Sequence, residues 1–166
     1  MKTGNTAHPE PNSTTLDLMI TRTIDAPRHI VWKAWTDPVH LRKWWAPKPW
    51  TTASCEMDLR PGGAFNTVMR DPDGKDFPGN GTFLEVVDLE RIVFTDALEA
   101  GYRPGQNPFM TAILTFEDDG KGTRYTARVL HKSEADRKKH EEMGFHEGWG
   151  TCLEQFAEVA RSLRDS

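Results

Sequence analysis

Two polar side chains interrupt strand patterns that are otherwise apolar. In the segment 91–98 Asp96 shares a face with apolar residues, and in 123–131 His131 follows Tyr125 on an apolar face. A carboxylate can tune an imidazole that acts as acid or base near neutral pH. In an antiparallel meander the two would lie at one end of the sheet, about 9–10 Å apart. That gap is too long for a direct hydrogen bond and fits a chain of bound water or a small polar group.

We predict that this end of the sheet is the mouth of a ligand site. A Gly- and Pro-rich loop over residues 99–108, with few anchors beyond Tyr102, leaves from the same end. Apolar pockets with a few polar groups are the usual form of small-molecule sites. The predicted site comprises Asp96, Phe109, Met110, Tyr125, His131, His146 and Trp149. We expect Phe109, Met110 and Tyr125 to form its walls.

Other chemistries have less support in the sequence. On one helix His140 and His146 would be about 240° apart, too far to share an ion. His140 and Glu147 could face each other, but no third ligand accompanies them. The chain has no G-x-S-x-G motif and no Gly-rich phosphate loop, and neither cysteine has a neighbouring base. We therefore expect neither a metal nor another cofactor.

Composition limits the class of protein. The chain has 166 residues, a net charge of −4 and scattered basic residues, which predicts one domain and no nucleic-acid or membrane partner. Cys55 and Cys152 lie far apart in apolar patterns, so we expect reduced thiols and a cytoplasmic location. No apolar run approaches 18 residues. Residues 1–15 are predicted to be a disordered tail, and 16–166 one folded domain.

The most regular pattern in the chain predicts a long amphipathic helix over Met143–Arg164. Its apolar residues recur at spacings of three and four: Phe145, Trp149, Cys152, Leu153, Phe156, Val159, Ala160 and Leu163. Residues 133–143 lack that stripe and predict a separate, solvated helix that Gly144 ends. Glycines 144, 148 and 150 predict either close helix–sheet contact or room for a ligand.

The remaining elements predict an α+β fold with one antiparallel sheet. A first strand over 16–25 precedes two short helices, the second carrying Leu41, Trp44 and Trp45. Short turn-forming links without helices then favour a meander of six more strands. These are predicted at 52–60, 64–70, 79–88, 91–98, 109–117 and 123–131. We expect this seven-stranded sheet to curl around the C-terminal helix and to leave a cavity at one end.

Several motifs, in this order, resemble the SRPBCC/START superfamily (the helix-grip, Bet v 1-like fold). The likeness is greatest to the polyketide-cyclase-like branch that is related to the C-terminal domain of the activator of Hsp90 ATPase. The similarity spans residues 16–163. The matching stretches are Asp25-Ala26-Pro27, Val31-Trp32-Lys33-Ala34-Trp35-Thr36-Asp37-Pro38, Leu41 to Trp44-Trp45-Ala46-Pro47, Asp58-Leu59-Arg60-Pro61-Gly62-Gly63, Gly74, Gly81 with Leu84-Glu85-Val86, and Gly148-Trp149. Asp96 departs from the pattern, which has an aromatic or apolar residue there.

Members of this superfamily include lipid carriers, cyclases, hydrolases and co-chaperone domains, so the resemblance leaves three functions open. The first is binding of a small, mainly apolar or aromatic molecule. The second is an enzyme that uses the same cavity, with Asp96 and His131 as acid and base. The third is a co-chaperone-like interaction module with a chaperone partner, which rests on the resemblance alone. A homodimer is compatible with each of the three.

Overall fold

The computed structural model of the chain describes residues 15–166. The disordered tail predicted over 1–15 therefore lies outside the described residues, apart from Thr15. The elements are β1 (Asp17–Ile24), α1 (Arg28–Thr36), α2 (Pro38–Leu41), β2 (Thr51–Met57), β3 (Ala64–Arg70), β4 (Asp76–Val87), β5 (Arg91–Thr95), β6 (Leu98–Glu99), β7 (Arg103–Pro104), β8 (Thr111–Asp119), β9 (Gly122–Leu130), α3 (Glu134–Glu142) and α4 (Phe145–Arg164).

Seven strands form one antiparallel sheet in the order β1-β9-β8-β5-β4-β3-β2. Strands β2, β3, β4, β5, β8 and β9 pair in chain order, β6 and β7 form a separate two-stranded sheet, and β1 pairs along β9. The predicted α+β helix-grip architecture is confirmed, with two short helices after β1 and a long C-terminal helix. Within residues 15–166, no helix is long and apolar enough to cross a membrane.

Helix α4 packs its apolar stripe against the sheet and α1. Phe156 is fully buried and contacts the rings of Trp44 and Tyr125. Gly144 adopts a left-handed conformation, with φ of +95°, and separates α3 from α4. That conformation favours glycine, so the helix predicted from Met143 begins at Phe145 instead.

A buried glutamine on α4 holds the segment that follows α2. Gln155 donates hydrogen bonds to the carbonyl groups of Trp44 and Ala46, and its Oε1 accepts from the backbone N–H of Lys48 at 3.0 Å. These bonds fix the chain beyond α2, which ends at Leu41. Trp44 and its neighbour Trp45, which we had placed on this helix, lie beyond it.

The loop predicted over 99–108 contains more structure than its sequence indicates. Strands β6 and β7 pair around a 3₁₀ turn at Ala100–Tyr102. Gly101 donates its N–H to the carbonyl oxygen of Gly62 at 2.9 Å, and the Tyr102 ring lies over the same glycine. A Cβ on Gly62 would come within 2.7 Å of that ring. Close packing on the β2–β3 turn therefore anchors the loop.

Strand β2 is one edge of the sheet and shifts its register between Thr52 and Ser54. Beside this irregularity the Arg42 guanidinium donates hydrogen bonds to the carbonyl oxygens of Thr52 at 3.3 Å and Ala53 at 2.8 Å. The segment after α2 is thus attached both to α4 and to the edge strand.

Candidate ligand-binding cavity

A cavity of about 380 Å³ lies between the sheet and helix α4. Strands β3, β5, β8 and β9 contribute residues to its wall, as do the segment after α2, the end of α3 and the first turns of α4. Most of the wall is aromatic or sulfur-containing: Trp44, Trp45, Phe94, Phe109, Tyr125, Phe145, Trp149, Met69, Met110, Met143 and Cys152. Such a surface suits an apolar or aromatic molecule.

Gly148 keeps part of this space open. It lies on α4, and a Cβ built on it would meet no atom within 4 Å. Gly150 lies on roughly the opposite face of the helix. A Cβ there would be in ordinary contact with Arg22 and Ile20. Of the two explanations for the helix glycines, room for a ligand fits Gly148 and helix–sheet packing fits Gly150.

Four of the seven predicted site residues line the cavity: Phe109, Met110, Tyr125 and Trp149. Tyr125 could be placed there because the alternation along β9 puts its side chain on the buried face. The other three, Asp96, His131 and His146, are not part of the cavity wall.

Asp96 stabilises the loop that returns to β8. Its Oδ1 accepts hydrogen bonds from the backbone N–H groups of Phe109 at 2.8 Å and Met110 at 3.1 Å. Two wall residues of the cavity are thereby held in place by one carboxylate. The departure from the family pattern at this position has a structural role that the sequence did not indicate.

His131 is buried behind the cavity wall. Its Nδ1 lies 2.9 Å from the carbonyl oxygen of Leu16, and its Nε2 lies 2.9 Å from Nδ1 of His140. Both ring nitrogens are thus engaged, so the water bridge that we expected between His131 and Asp96 has no place here. His146 is largely exposed and lies 3.5 Å from the carboxylate of Glu141.

His140 is the wall residue that sequence reasoning missed. The predicted separate helix is present as α3 and is mostly exposed, but His140 is only 8% exposed. Its ring contacts those of Phe109, Phe145 and Trp149, with centroid distances of 4.9, 5.1 and 6.2 Å. Burial, together with the neighbouring His131, lowers the pKa of His140 from 6.5 to about 4. The imidazole is therefore neutral at pH 7.

The other polar groups of the cavity wall are also uncharged at neutral pH. The Tyr125 hydroxyl accepts a hydrogen bond from Trp35 Nε1 at 3.2 Å, and burial raises its pKa well above the ordinary value. Burial raises the pKa of the Cys152 thiol to about 12, and this thiol donates to the carbonyl oxygen of Trp45. A protonated, buried thiol is a poor nucleophile. Within residues 15–166 no group of three His, Cys, Asp or Glu side chains could hold a metal ion.

Comparison with known proteins agrees with this architecture. Residues 25–161 match the family described as activator of Hsp90 ATPase homolog 1-like protein. The chain belongs to this family. No curated protein matches the chain at a significant level.

Solved structures of similar proteins share the fold. A crystal structure from Nitrosomonas europaea is 47% identical, with a TM-score of 0.90, and the match covers 93% of this chain and 99% of that chain. A crystal structure from Mycobacterium smegmatis is 29% identical, with a TM-score of 0.75 and coverage of 87% and 90%. A solution structure of a protein from Aeromonas hydrophila, described as like the activator of Hsp90 ATPase homolog 1, is 22% identical, with a TM-score of 0.69 and coverage of 89% and 93%. At this identity the comparison supports a shared fold and nothing more.

Proposed function

We propose that the chain binds a small, mainly apolar or aromatic molecule in the cavity between the sheet and α4. The observation that carries this proposal is the volume of about 380 Å³ with a wall that is mostly aromatic or sulfur-containing. A chain that only needed a packed core would fill such a space, because each large side chain buried contributes about 1.5–3 kcal/mol. Instead, Gly148 on the main core helix contributes no side chain to it.

The electrostatics of the cavity favour an uncharged ligand. The titratable groups of its wall are the hydroxyl of Tyr125, the imidazole of His140 and the thiol of Cys152, and none of them is ionised at neutral pH. A charged ligand would leave water without gaining an opposite charge, which is costly. The affinity would come from buried apolar area, and the polar groups would orient the ligand.

Two other functions remain candidates within the family. An enzyme of the cyclase or hydrolase type would use the same cavity, and only measured turnover separates it from a binding protein. The family description, which refers to an activator of Hsp90 ATPase, supports a co-chaperone-like module. The large exposed apolar side chains are spread over different elements, which favours the cavity over a surface patch: Met19, Val39, Phe77, Tyr102 and Met143.

Binding can be tested with N-phenyl-1-naphthylamine, a neutral aromatic probe whose fluorescence rises in apolar surroundings. We expect saturable binding to the wild-type protein and at least tenfold weaker binding to Gly148→Leu, which places a side chain in the cavity. Thr151→Leu is the matched control, because it adds a leucine on the exposed face of α4.

Equal binding by both leucine variants would place the probe elsewhere and contradict the proposal. The co-chaperone alternative makes a different prediction. If purified Hsp90 is stimulated equally by the wild type and Gly148→Leu, the cavity is irrelevant to that activity and the interaction module is the better description.

A further inference from the structure

The carbonyl group of Leu16 determines which nitrogen of His131 carries hydrogen. It lies 2.9 Å from Nδ1 of the imidazole, and a carbonyl oxygen can only accept a hydrogen bond. Nδ1 of His131 is therefore protonated. In a neutral imidazole the other nitrogen, Nε2, is then an acceptor.

His131 in turn determines the tautomer of His140. His131 Nε2 lies 2.9 Å from His140 Nδ1, and one hydrogen atom is shared between them. Because the His131 nitrogen accepts, Nδ1 of His140 must donate. Nε2 of His140 is left with a free lone pair, and no residue of the described chain forms a hydrogen bond with it.

That lone pair belongs to a ring in the wall of the cavity. His140 is packed among Phe109, Phe145 and Trp149, which also line the cavity. The two phenylalanine rings carry no donor, and the indole N–H of Trp149, which could donate, forms no hydrogen bond with this nitrogen in residues 15–166. The nitrogen is not fully buried, because it is absent from the buried polar atoms without a partner. A ligand that supplies a donor can therefore reach it from the cavity and form a hydrogen bond.

Charged side chains on α3 and α4 are paired with one another. On α3, Asp136 is paired with Lys132, and Glu141 is paired with Arg137. From the first turn of α4, His146 contacts Glu141. The lowered pKa of His140 agrees with an uncharged imidazole at neutral pH.

We propose that the cavity selects aromatic molecules that carry an uncharged O–H or N–H group, which donates its hydrogen to Nε2 of His140. This inference rests on the proposed binding function and adds the chemical class of the ligand. His140 is the contact residue, and His131 is a positioning residue that holds its tautomer. A ligand carboxylate in the same place is disfavoured, because it has no hydrogen to donate and would face the lone pair of Nε2.

The tautomers can be read directly from ¹⁵N shifts of the two imidazoles in long-range ¹H–¹⁵N spectra of the wild-type protein at pH 7.5. We expect both Nδ1 atoms to carry hydrogen and both Nε2 atoms to be bare. In His131→Leu, His140 should return to a mixture of tautomers. A wild-type His140 that carries its hydrogen on Nε2 would overturn the inference without any ligand experiment.

The ligand class can be tested by calorimetry with 1-naphthol, 1-methoxynaphthalene and 1-naphthoate at pH 7.5. We expect 1-naphthol to bind about tenfold more tightly than the methyl ether, a difference of ~1.4 kcal/mol. In His140→Asn this ratio should fall to within about twofold. The asparagine amide can still donate to His131, but it has no acceptor at the position of Nε2. The wild-type ratio decides the inference even if the variant is unstable.

The outcomes separate this inference from the function on which it rests. Equal affinity for 1-naphthol and its methyl ether would overturn the inference and leave the binding function intact. If 1-naphthoate bound most tightly of the three, the inference would also be overturned and the binding function would again remain intact. If none of the three compounds binds, both the inference and the proposed binding function fail.

Discussion

At the residue scale, His140 links the stability of α3 to the chemistry of the cavity. It is a buried histidine on a helix whose other side chains are exposed or half-buried. Burial disfavours its charged form, and the hydrogen bond to His131 gives the neutral ring a fixed orientation. Protonation of this residue is therefore expected to destabilise the folded protein.

The first prediction concerns pH. Folded His140 has a pKa of about 4 and the unfolded residue one of 6.5, so the unfolded chain binds the extra proton between these values. The free energy of unfolding should be unaffected above pH 6.5 and should fall by up to about 3 kcal/mol as pH decreases to 4. Urea titrations at pH 7, 6, 5 and 4 measure this loss. His140→Asn should show a shallower dependence.

The control for this experiment is His146→Asn, since His146 is exposed and contacts only Glu141 and a neighbouring ring. In this variant the free energy of unfolding should fall with decreasing pH as steeply as in the wild type. If the free energy of unfolding depends on pH equally in His140→Asn and His146→Asn, carboxylates elsewhere account for the acid sensitivity.

Individual site residues differed in how well the sequence predicted them. Tyr125 was placed on the cavity side because strand alternation has a strict period of two. His140 was missed because α3 has no apolar stripe, so its sequence does not mark the one side chain of the helix that is buried. Asp96 was assigned to the mouth, although its carboxylate bonds the backbone of its own loop.

At the element scale, α4 was the most predictable part of the chain. Its apolar residues repeat at the helical period over five turns, and burial follows that stripe. The buried Gln155 lies outside the pattern, because it is buried to bond the segment after α2 and not for its apolar area. Such a role depends on a partner more than 100 residues away in sequence.

The second prediction compares the two faces of α4. Phe156→Ala should lower the free energy of unfolding by about 3–5 kcal/mol, because Phe156 is fully buried and its removal leaves a void. Glu158→Ala on the exposed face should change it by less than about 0.5 kcal/mol. Urea denaturation of both variants provides the measurement. Comparable losses would show that the helix is rotated relative to the sheet.

The third prediction separates stability from binding at the helix glycines. Gly148→Ala and Gly150→Ala should each stabilise the protein by about 0.5–1 kcal/mol, because alanine is the better helix former. Only Gly148→Ala should weaken probe binding, since only Gly148 lines the cavity. Thermal unfolding and fluorescence titration of the same two samples test both parts. Weaker binding in Gly150→Ala alone would place the ligand on the other side of the helix.

At the scale of the whole molecule, the sheet order follows from the lengths of the connections. Most links between neighbouring strands from β2 to β9 are a few residues long and permit only antiparallel pairing, which is why the meander was predictable. The return of α3 over the cavity was not, because it depends on one glycine and one buried histidine pair. The pairing of β6 with β7 was also missed, since two-residue strands leave no periodic pattern.

The fourth prediction concerns amide hydrogen exchange. Strands β8 and β9 are internal in the sheet, so their amides should exchange only through global unfolding. Most amides of α3 should exchange much faster, because a single side chain of this helix is buried. Gly101 and Gly105, whose N–H groups bond Gly62 and Ala97, should be slower than the rest of their loop. Uniformly slow exchange over residues 134–142 would show that α3 packs more firmly than its burial indicates.

The hydrogen bonds of Arg42 also bear on how the protein avoids aggregation. An edge strand such as β2 offers unpaired backbone groups to which a strand of another molecule can add. The Arg42 guanidinium already occupies the carbonyl groups of Thr52 and Ala53, and it places a positive charge beside the irregular part of the strand. A second strand approaching there would have to displace this charge, so we expect the arginine to disfavour pairing of another molecule along that part of the edge.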